Sequence, residues 1–232
     1  MYNDLMPINS YEIRICDSCG LRYPLMEGHL FGTRCPICMG ETRVALSRQL
    51  IDEPGPARLS GLNTKEKQRL RADRSPQNIA VLLDNIRSAW NVGSILRSSD
   101  GFGFHHVYLC GITPTADNES VTKTSLGAED SVPWSYHKDA VRLVKGLRVE
   151  GWNVYALEED ARSQSLSLFP TSPFSNPVVL IVGNEITGVD PDLLDMCDEI
   201  FYIPMRGEKK SFNVAIAFGV AAYALTIQNL KN

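Results

Sequence analysis

Residues 178–188 read Val-Val-Leu-Ile-Val-Gly-Asn-Glu-Ile-Thr-Gly, an apolar run followed by a polar loop between two glycines. Five consecutive apolar, mostly β-branched residues are typical of a parallel strand that is buried on both faces. Gly183 stands where this strand ends, so its bare backbone can approach a ligand at the carboxyl edge, where open α/β sheets bind ligands. Gly188 allows the loop to turn back. We therefore expect a ligand-binding loop here.

The rest of the chain after Pro76 alternates between short apolar strands and amphipathic helices. This alternation predicts an α/β domain with a doubly wound parallel sheet. After the first strand the chain reads Asp84-Asn85-Ile86-Arg87 instead of G-x-G-x-x-G, which disfavours a nicotinamide dehydrogenase. The predicted strands are 79–83, 107–109, 154–157, 178–182 and 200–203, and the predicted helices are 92–99, 140–149, 192–196 and 212–227.

Two further motifs flank the loop in the chain. Asn91-x-Gly93-x-x-x-Arg97 precedes it, and Pro204-Met205 followed by Ser211-Phe212-Asn213-Val214 comes after it. The order and spacing of the three motifs, over roughly residues 78–228, resemble the TrmH (SpoU) branch of the SPOUT methyltransferases. The segments 83–87 and 125–128 resemble the connecting segments of that family. Two mild departures are Ser88-Ala89-Trp90, where the family often has an acidic-Pro pair, and Phe212, where Leu is usual.

The resemblance implies an activity, a cofactor and an assembly. The family transfers a methyl group from S-adenosylmethionine to a ribose 2′-hydroxyl of RNA, here transfer or ribosomal RNA. It works as homodimers in which the active site is completed across subunits. Its sheet ends in a deep C-terminal trefoil knot, a rare exception to unknotted chains. The expected fold class is therefore a SPOUT-type α/β domain.

The resemblance also implies a pocket for S-adenosylmethionine. Three segments would form it: the loop after the strand 178–182, the stretch 203–205, and residues 211–214. Backbone groups would hold the adenine and ribose, and Phe212 would cover them with an apolar surface. The residues expected to bind the cofactor are Val182, Gly183, Asn184, Gly188, Ile203, Met205, Phe212 and Val214.

The polar residues of the motifs are the catalytic candidates. In the family the arginine at the position of Arg97 is assigned to activating the 2′-hydroxyl. A guanidinium hardly ever loses its proton, so we expect Arg97 to hold a phosphate and stabilise a developing oxyanion. Glu185 could orient Asn213 and Arg97 or accept a proton, and the sequence leaves both open. The full set is Asn91, Arg97, Glu185, Ser211 and Asn213, with Ser211 also expected to cap the last helix and Asn91 able to cap its own.

Four of the six cysteines form Cys16-x-x-Cys19 and Cys35-x-x-Cys38, with fifteen residues between the pairs. This spacing is typical of a tetrathiolate zinc site, and four thiolates leave no open position, so the zinc would be structural. Two disulfides are the alternative, which a cytoplasmic location disfavours. The start of the chain lacks the pattern of a signal peptide and no apolar run is long enough to span a membrane, so a cytoplasmic protein is expected.

Charge divides the chain unevenly. Through Ser75 there are 11 Lys and Arg against 9 Asp and Glu, and the remainder has 12 against 18. We therefore predict three parts: a zinc ribbon at 1–50, a linker with a basic segment at 51–76, and the methyltransferase domain at 77–232. The basic segment contains Arg58, Lys65, Lys67, Arg69, Arg71 and Arg74.

Two alternative functions remain open. One is an RNA-binding protein with an inactive methyltransferase domain, and the other is a base-directed SPOUT methyltransferase.

Overall fold

The computed structural model describes residues 10–26, 33–49, 79–168, 174–209 and 211–226. The chain divides into two compact units, Met1–Ser60 and Gly61–Asn232. The predicted linker and its basic segment lie outside the described residues, as does the short exposed helix that the charged sequence at 64–74 suggests, so the three-part boundaries stay a prediction. Within the described residues, no helix is long and apolar enough to cross a membrane. The cytoplasmic location also stays a prediction.

The first unit contains a three-stranded antiparallel sheet in the order β2-β1-β3, formed by β1 (Ser10–Cys16), β2 (Arg22–Met26) and β3 (Thr42–Gln49). The sequence around the two Cys-x-x-Cys pairs also predicts short strands at 11–15 and 42–46, and these lie within β1 and β3. Arg14 is buried and fully used, because its guanidinium donates to the hydroxyl and carbonyl of Thr42 and pairs with Glu12. Strand β2 was not predicted, since it is short and contains Pro24, a residue that is confined to edge strands and bulges.

The second unit is built on a seven-stranded parallel sheet in the order β6-β5-β4-β9-β7-β10-β8. Each of the five predicted strands is present, with ends shifted by no more than one residue. The strands are β4 (Ile79–Asp84), β5 (His106–Cys110), β6 (Trp134–His137), β7 (Asn153–Leu157), β8 (Gln164–Ser165), β9 (Val178–Val182) and β10 (Glu199–Tyr202).

Among the described residues, six α-helices connect or flank these strands, and a 3-10 turn at Leu166–Leu168 follows β8. The four predicted helices are present, although the end of the last one, at residue 227, lies outside the described residues. The helices are α1 (Ala89–Gly101), α2 (Glu119–Ser125), α3 (Ala128–Ser131), α4 (Ala140–Val149), α5 (Pro191–Leu194) and α6 (Val214–Thr226).

The sheet is buried on both faces because the side chains of its central strands alternate between two hydrophobic clusters. On β4, Val81 faces the cluster that contains α1 and α6, whereas Leu82 faces the cluster that contains α4 and α5. All six residues of β4 and all five of β9 are buried. This arrangement confirms the predicted doubly wound parallel sheet. The C-terminal knot stays a prediction.

Candidate active site

The candidate site begins where β9 ends, at Gly183. A Cβ atom on this residue would lie 2.3 Å from the carbonyl carbon of Gly188 and 2.3 Å from the nitrogen of Val189. No real Cβ tolerates backbone atoms at that distance, so only glycine lets the two ends of the loop touch. Gly188 itself has φ +73°, which favours glycine as well. The two glycines of the loop are therefore required by backbone geometry.

Asn184 holds the loop in shape and joins it to the neighbouring strand. Its backbone pairs with that of Gly188 in both directions, at 3.0 and 2.9 Å. Its side-chain oxygen accepts from the amide of Ile186 at 2.9 Å, and its Nδ2 donates to the carbonyl of Asn85 at 2.7 Å, just after β4. The loop is thus fixed against the carboxyl ends of both central strands, β9 and β4.

The carboxylate of Glu185 lies at the N-terminus of α1. Its Oε2 accepts from the amide of Arg87 at 2.9 Å, and its Oε1 accepts from the amide of Ser88 at 3.1 Å. Its Oε1 also accepts from Nδ2 of Asn91 at 2.9 Å. A negative charge at this position interacts favourably with the partial positive charge of the helix N-terminus. Glu185 therefore joins the binding loop to the first motif.

Asn91 and Asn213 extend this contact to the third motif. Nδ2 of Asn213 donates to Oδ1 of Asn91 at 3.0 Å, while Oδ1 of Asn213 accepts from the amide of Ala215 at 2.9 Å. The chain of bonds from Asn213 through Asn91 to Glu185, which we call the amide relay, connects residues up to 122 positions apart. It therefore brings together one residue from each of the three motifs.

Both predicted helix caps are wrong. Asn213, not Ser211, caps α6, because that helix begins at Val214 and Ser211 lies two residues too early to reach its first amides. Ser88, not Asn91, caps α1: its hydroxyl accepts from the amide of Asn91 at 3.4 Å, which places Asn91 inside the first turn. The shift releases the side chain of Asn91 for the amide relay.

The hydrogen bonds of Glu185 decide its protonation. Partial burial alone would raise the pKa of this carboxyl, but the amide of Arg87, the side chain of Asn91 and the amide of Ser88 stabilise the charged form more strongly. The net effect lowers the pKa of Glu185 below its ordinary value. The group is thus ionised near neutral pH and is a poor proton acceptor.

A cavity of about 410 Å³ opens beside the relay, at the carboxyl ends of β9, β7 and β10. Three carboxylate residues line it, namely Glu158, Glu159 and Glu185, together with the exposed ring of Phe212 and the catalytic candidates Ser211 and Asn213. All eight residues that were predicted to bind the cofactor line this cavity: Val182, Gly183, Asn184, Gly188, Ile203, Met205, Phe212 and Val214.

Glu158, which was not among the predicted site residues, follows β7 and reaches the loop from the other side. Its Oε2 accepts from the amide of Val189 at 2.9 Å, and it is also the side chain that a Cβ on Gly188 would meet, at 2.5 Å. The carboxylate therefore supports the turn at the end of the loop while it lines the cavity. An acidic residue directly after an apolar strand was the available signal.

Arg97 does not join the other catalytic candidates in this chain. It is exposed, it does not line the cavity, and its guanidinium has no hydrogen-bond or ion-pair partner among the described residues. Six residues along a helix correspond to about 9 Å and to a different face from that of Asn91. Gly93, four residues before Arg97 on α1, is instead buried against α2, where a Cβ would meet the carbonyl oxygen of Val121 at 2.5 Å.

The four motif cysteines of the first unit converge. Their sulfur atoms all lie within 4.8 Å of one another, and the close pairs are Cys16 with Cys38 at 3.4 Å and Cys19 with Cys35 at 3.7 Å. All four are free thiols, so the disulfide alternative is wrong for this structure. A tetrahedral Zn²⁺ with Zn–S bonds of about 2.3 Å would separate its sulfurs by about 3.8 Å. The cluster could therefore hold a metal ion of that size.

The knuckle around Cys16 favours a thiolate. The amide of Cys19 donates to the sulfur of Cys16 at 3.4 Å, and this contact is the main reason that the pKa of Cys16 falls to about 6. Both knuckles close with a backbone hydrogen bond, because the amide of Gly20 donates to the carbonyl of Cys16 at 3.0 Å and the amide of Met39 donates to the carbonyl of Cys35 at 2.9 Å. These backbone bonds shape the two turns that present the sulfurs.

Curated relatives of this chain methylate RNA at guanosine. A 23S rRNA (guanosine-2′-O)-methyltransferase from Bacillus subtilis is 33% identical over 147 residues, which cover 62% of this chain and 56% of that protein. A tRNA (guanosine(18)-2′-O)-methyltransferase from Thermus thermophilus is 31% identical over 160 residues, which cover 68% of this chain and 79% of that protein. The chain thus spans little more than half of the first relative and most of the second.

Solved structures agree with these relatives. An AdoMet-bound rRNA methyltransferase from Sinorhizobium meliloti has a TM-score of 0.62 and 28% identity, covering 70% of this chain and 61% of that one. The SpoU methyltransferase AviRb from Streptomyces viridochromogenes, in complex with AdoMet, has a TM-score of 0.60 and 26% identity, covering 69% and 65%. The family model described as SpoU rRNA Methylase matches residues 78–223. This chain therefore belongs to the SpoU rRNA Methylase family.

Proposed function

We propose that this protein transfers a methyl group from S-adenosylmethionine to a ribose 2′-hydroxyl of RNA. The observation that carries the proposal is the amide relay from Asn213 through Asn91 to Glu185, which borders a cavity lined by every residue predicted to bind the cofactor. The relatives named above are 2′-O-methyltransferases of transfer and ribosomal RNA.

The charge of the cavity favours a cationic ligand. Glu158, Glu159 and Glu185 contribute three carboxylates to its lining. S-adenosylmethionine carries a sulfonium and an ammonium group, and opposite charges at close range attract strongly where water is partly excluded. When bound, this cofactor supplies an electrophilic methyl group, and sulfur keeps the bonding electron pair as a neutral thioether. RNA phosphates, by contrast, would be repelled from the cavity.

The residues of the relay act by positioning. Because the pKa of Glu185 is lowered, we assign it to orienting Asn91 and the N-terminus of α1 and not to accepting the 2′-hydroxyl proton. Asn213 is fixed at both ends of its amide, so the relay forms a rigid border to the cavity. Methyl transfer needs the hydroxyl oxygen in line with the methyl group, and such positioning accounts for much of the rate of an enzyme of this kind.

Arg97 acts in the site of a second copy of the chain. This proposal rests on its exposed guanidinium, on its position outside the cavity lining, and on the homodimers that the family resemblance implies. An apolar stripe on α6 supports self-association: Ile216, Val220 and Tyr223 recur at helical spacing and are 56%, 41% and 54% exposed. Arg97 would hold the phosphate and stabilise the 2′-oxyanion of the RNA that is bound to the partner subunit.

A structural Zn²⁺ ion bound by Cys16, Cys19, Cys35 and Cys38 is part of the proposal. The distances between the sulfurs support it, and the small first unit has little core of its own to stabilise it. The Cys16→Ser variant should lose its zinc, measured by metal analysis, while the second unit keeps its unfolding transition. Full zinc content in a folded Cys16→Ser protein would contradict the four-cysteine site.

Alkaline digestion tests the class of reaction. RNA transcribed in vitro, which lacks modifications, is incubated with the protein and S-adenosylmethionine labelled in its methyl group. A 2′-O-methyl group blocks alkaline cleavage at its own linkage, so the label should remain in dinucleotides. Label in mononucleotides would indicate methylation of a base. Absence of label, together with no binding of the cofactor, would favour an RNA-binding protein with an inactive methyltransferase domain.

A further inference from the structure

Trp90 is a large aromatic residue left in solvent beside the amide relay. Its side chain is 64% exposed. The other two tryptophans, Trp134 and Trp152, pack against the two hydrophobic clusters, whereas Trp90 belongs to neither cluster and has no ring partner among the described residues. Single exposed apolar residues are common, but an exposed tryptophan at a binding site offers unusually large contact area.

The local structure fixes the position of this indole. Trp90 occupies the first turn of α1, directly before Asn91, which donates to Glu185 at 2.9 Å. The two preceding amides, of Arg87 and Ser88, also donate to Glu185. This turn is therefore anchored on three hydrogen bonds, and adjacent Cα atoms lie only about 3.8 Å apart. The backbone of Trp90 consequently cannot move away from the relay.

The surroundings of Trp90 fit nucleic acid. Arg87 is exposed, and its guanidinium has no ion-pair partner within the described residues. Ile186, which follows Glu185 in the loop, is 73% exposed. Trp90, Arg87 and Ile186 each lie next to a residue that takes part in the hydrogen bonds of Glu185, or take part in them through their backbone. An exposed aromatic ring, an unpaired cation and an aliphatic side chain match a nucleobase and its phosphate, because every base has a π-face and arginine binds phosphate oxygens.

The chemistry of ribose methylation places a base at this distance from the relay. In any nucleotide the base is bonded to C1′, which is the neighbour of the C2′ carbon that carries the hydroxyl. If the hydroxyl is held beside Asn91 and Glu185, the base of that nucleotide or of its neighbour lies within a few bond lengths of the amide relay. An exposed aromatic ring on the residue directly before Asn91 is thus within reach of such a base.

We propose that the indole of Trp90 stacks on an RNA base within one nucleotide of the methylated ribose, and that Arg87 binds the adjoining phosphate. This inference rests on the proposed function and assigns residues of RNA recognition to it. Stacking on an aromatic side chain requires no particular base, so Trp90 contributes affinity and orientation and leaves the choice of base to other contacts. Trp90 is a binding and positioning residue.

The first test compares RNA affinity in matched variants. The probe is the in vitro transcript that the wild-type protein methylates. Trp90→Ala should weaken its binding by roughly 5- to 150-fold, the range for loss of one stacked base. Trp90→Phe keeps a π-face and should stay within about fivefold of wild type. The dissociation constant for S-adenosylmethionine should remain within about twofold in both variants, and Trp152→Phe serves as the control for tryptophan replacement elsewhere.

Indole fluorescence distinguishes stacking of Trp90 on a base from a purely structural role of this residue. Stacking on a base quenches indole emission, so titration with the same transcript should quench the wild-type protein and Trp152→Phe, and quench Trp90→Phe much less. Arg87→Gln should lower the slope of log binding constant against log salt concentration by about 0.7 to 0.9, as expected for one lost phosphate contact. RNA affinity unchanged in Trp90→Ala would overturn the inference.

The other outcomes are also decisive. If Trp90→Ala converts a dimer to a monomer in sedimentation, the indole packs against a second copy of the chain and the stacking assignment is wrong. If wild-type protein neither binds S-adenosylmethionine nor methylates any transcript, the proposed function itself fails. A wild-type protein that methylates RNA and a Trp90→Ala protein that binds the RNA equally well would reject the stacking alone.

Discussion

At the scale of single residues, Asn213 uses the two ends of one amide for two purposes. Its oxygen caps α6, where it accepts from the amide of Ala215, and its nitrogen donates to Asn91 in the relay. A capping residue and a site residue are therefore the same side chain here. A substitution at this position can keep the capping oxygen and remove only the donor nitrogen. The effects of Asn213 on stability and on activity can therefore be measured separately.

We predict that Asn213→Asp and Asn213→Ala differ in stability but not in the loss of turnover. Aspartate keeps the capping oxygen, and its charge suits a helix N-terminus, so its unfolding free energy should stay near wild type. Alanine loses the cap and should cost about 1 kcal/mol. Both lose the donor to Asn91, and both should lower kcat about tenfold or more. Urea unfolding and initial rates measure the two effects, and full activity in Asn213→Asp would show that the relay is dispensable.

A second prediction concerns Glu185 and pH. Because the pKa of this carboxyl is lowered in the folded state, its charge contributes stability that is present above the ordinary value of 4.5 and is lost as the pH falls through the folded value. Glu185→Gln should therefore be less stable than wild type by about 1 kcal/mol at neutral pH. The difference should shrink below pH 4.5.

Denaturant midpoints of the two proteins, measured from pH 7 to pH 3, check this prediction. Asp192→Asn is a suitable control, since Asp192 is an exposed residue in the first turn of the short helix α5. A stability difference between wild type and Glu185→Gln that stayed constant over this range would show that the charge of Glu185 is not what stabilises the start of α1.

The motifs identified most of the site, because each pairs a special backbone position with a polar group. Gly183 and Gly188 are glycines that the backbone requires, and their places in the loop follow from the strand that precedes them. The roles of Ser211 and Asn213 could not be separated from sequence, since either could cap the helix that follows. The contacts of Glu185 with α1 join residues up to 98 positions apart, which no local pattern reveals.

At the scale of elements, the site depends on the contact between the two ends of the loop 183–188. The backbone hydrogen bonds of Asn184 with Gly188 and the support of Val189 by Glu158 hold the loop as a tight turn at the end of β9. The strand itself is buried along its whole length. The loop is therefore anchored on a rigid strand of the central sheet. Such rigidity suits a site that must hold the hydroxyl oxygen, the methyl carbon and the sulfur in line.

Gly183→Ala should disrupt this turn. The added methyl group would lie 2.3 Å from backbone atoms of Gly188 and Val189, so the loop must shift. We expect a loss of about 1–3 kcal/mol in stability and a weakening of S-adenosylmethionine binding by roughly 10- to 100-fold, measured by melting and calorimetry. Gly146→Ala is the matched control, because a Cβ there meets nothing within 4 Å and α4 should gain stability. Unchanged cofactor binding in Gly183→Ala would contradict the role of the loop.

The elements that sequence reasoning missed share a physical reason. Strand β6 is Trp-Ser-Tyr-His at the edge of the sheet, and it is only partly buried, so it lacks the apolar run that marked the inner strands. Helix α2 has seven residues with little apolar periodicity and is held by its cap at Asn118 and by close contact with Gly93. Tertiary packing, and not local propensity, decides such short elements.

At the scale of the whole molecule, one chain forms the cavity and the amide relay, whereas Arg97 lies outside both. Association of two copies through the apolar stripe on α6 would explain both observations, if Arg97 of each subunit acts in the site of the other. The proposal predicts that two different defects can complement each other within a mixed dimer. It also predicts that a monomeric variant would bind the cofactor and fail to turn over.

Mixing Arg97→Ala with Gly183→Ala tests this arrangement. Each variant alone should have little activity, since the first lacks the arginine and the second lacks the cofactor loop. After subunit exchange, half of the dimers are mixed, and each contains one site with both an intact cavity and an intact arginine from the partner. The mixture should therefore recover up to about a quarter of wild-type activity. If the mass of the dimers shows that subunits have exchanged and activity still does not recover, Arg97 acts in the site of its own subunit.

The most direct test of the whole account is mass spectrometry of nucleosides from transfer and ribosomal RNA transcripts incubated with the protein and S-adenosylmethionine. We predict a 2′-O-methylnucleoside with wild-type protein and none with Arg97→Ala, although Arg97→Ala still binds the cofactor. A base-methylated nucleoside, or equal 2′-O-methylation by both proteins, would contradict it.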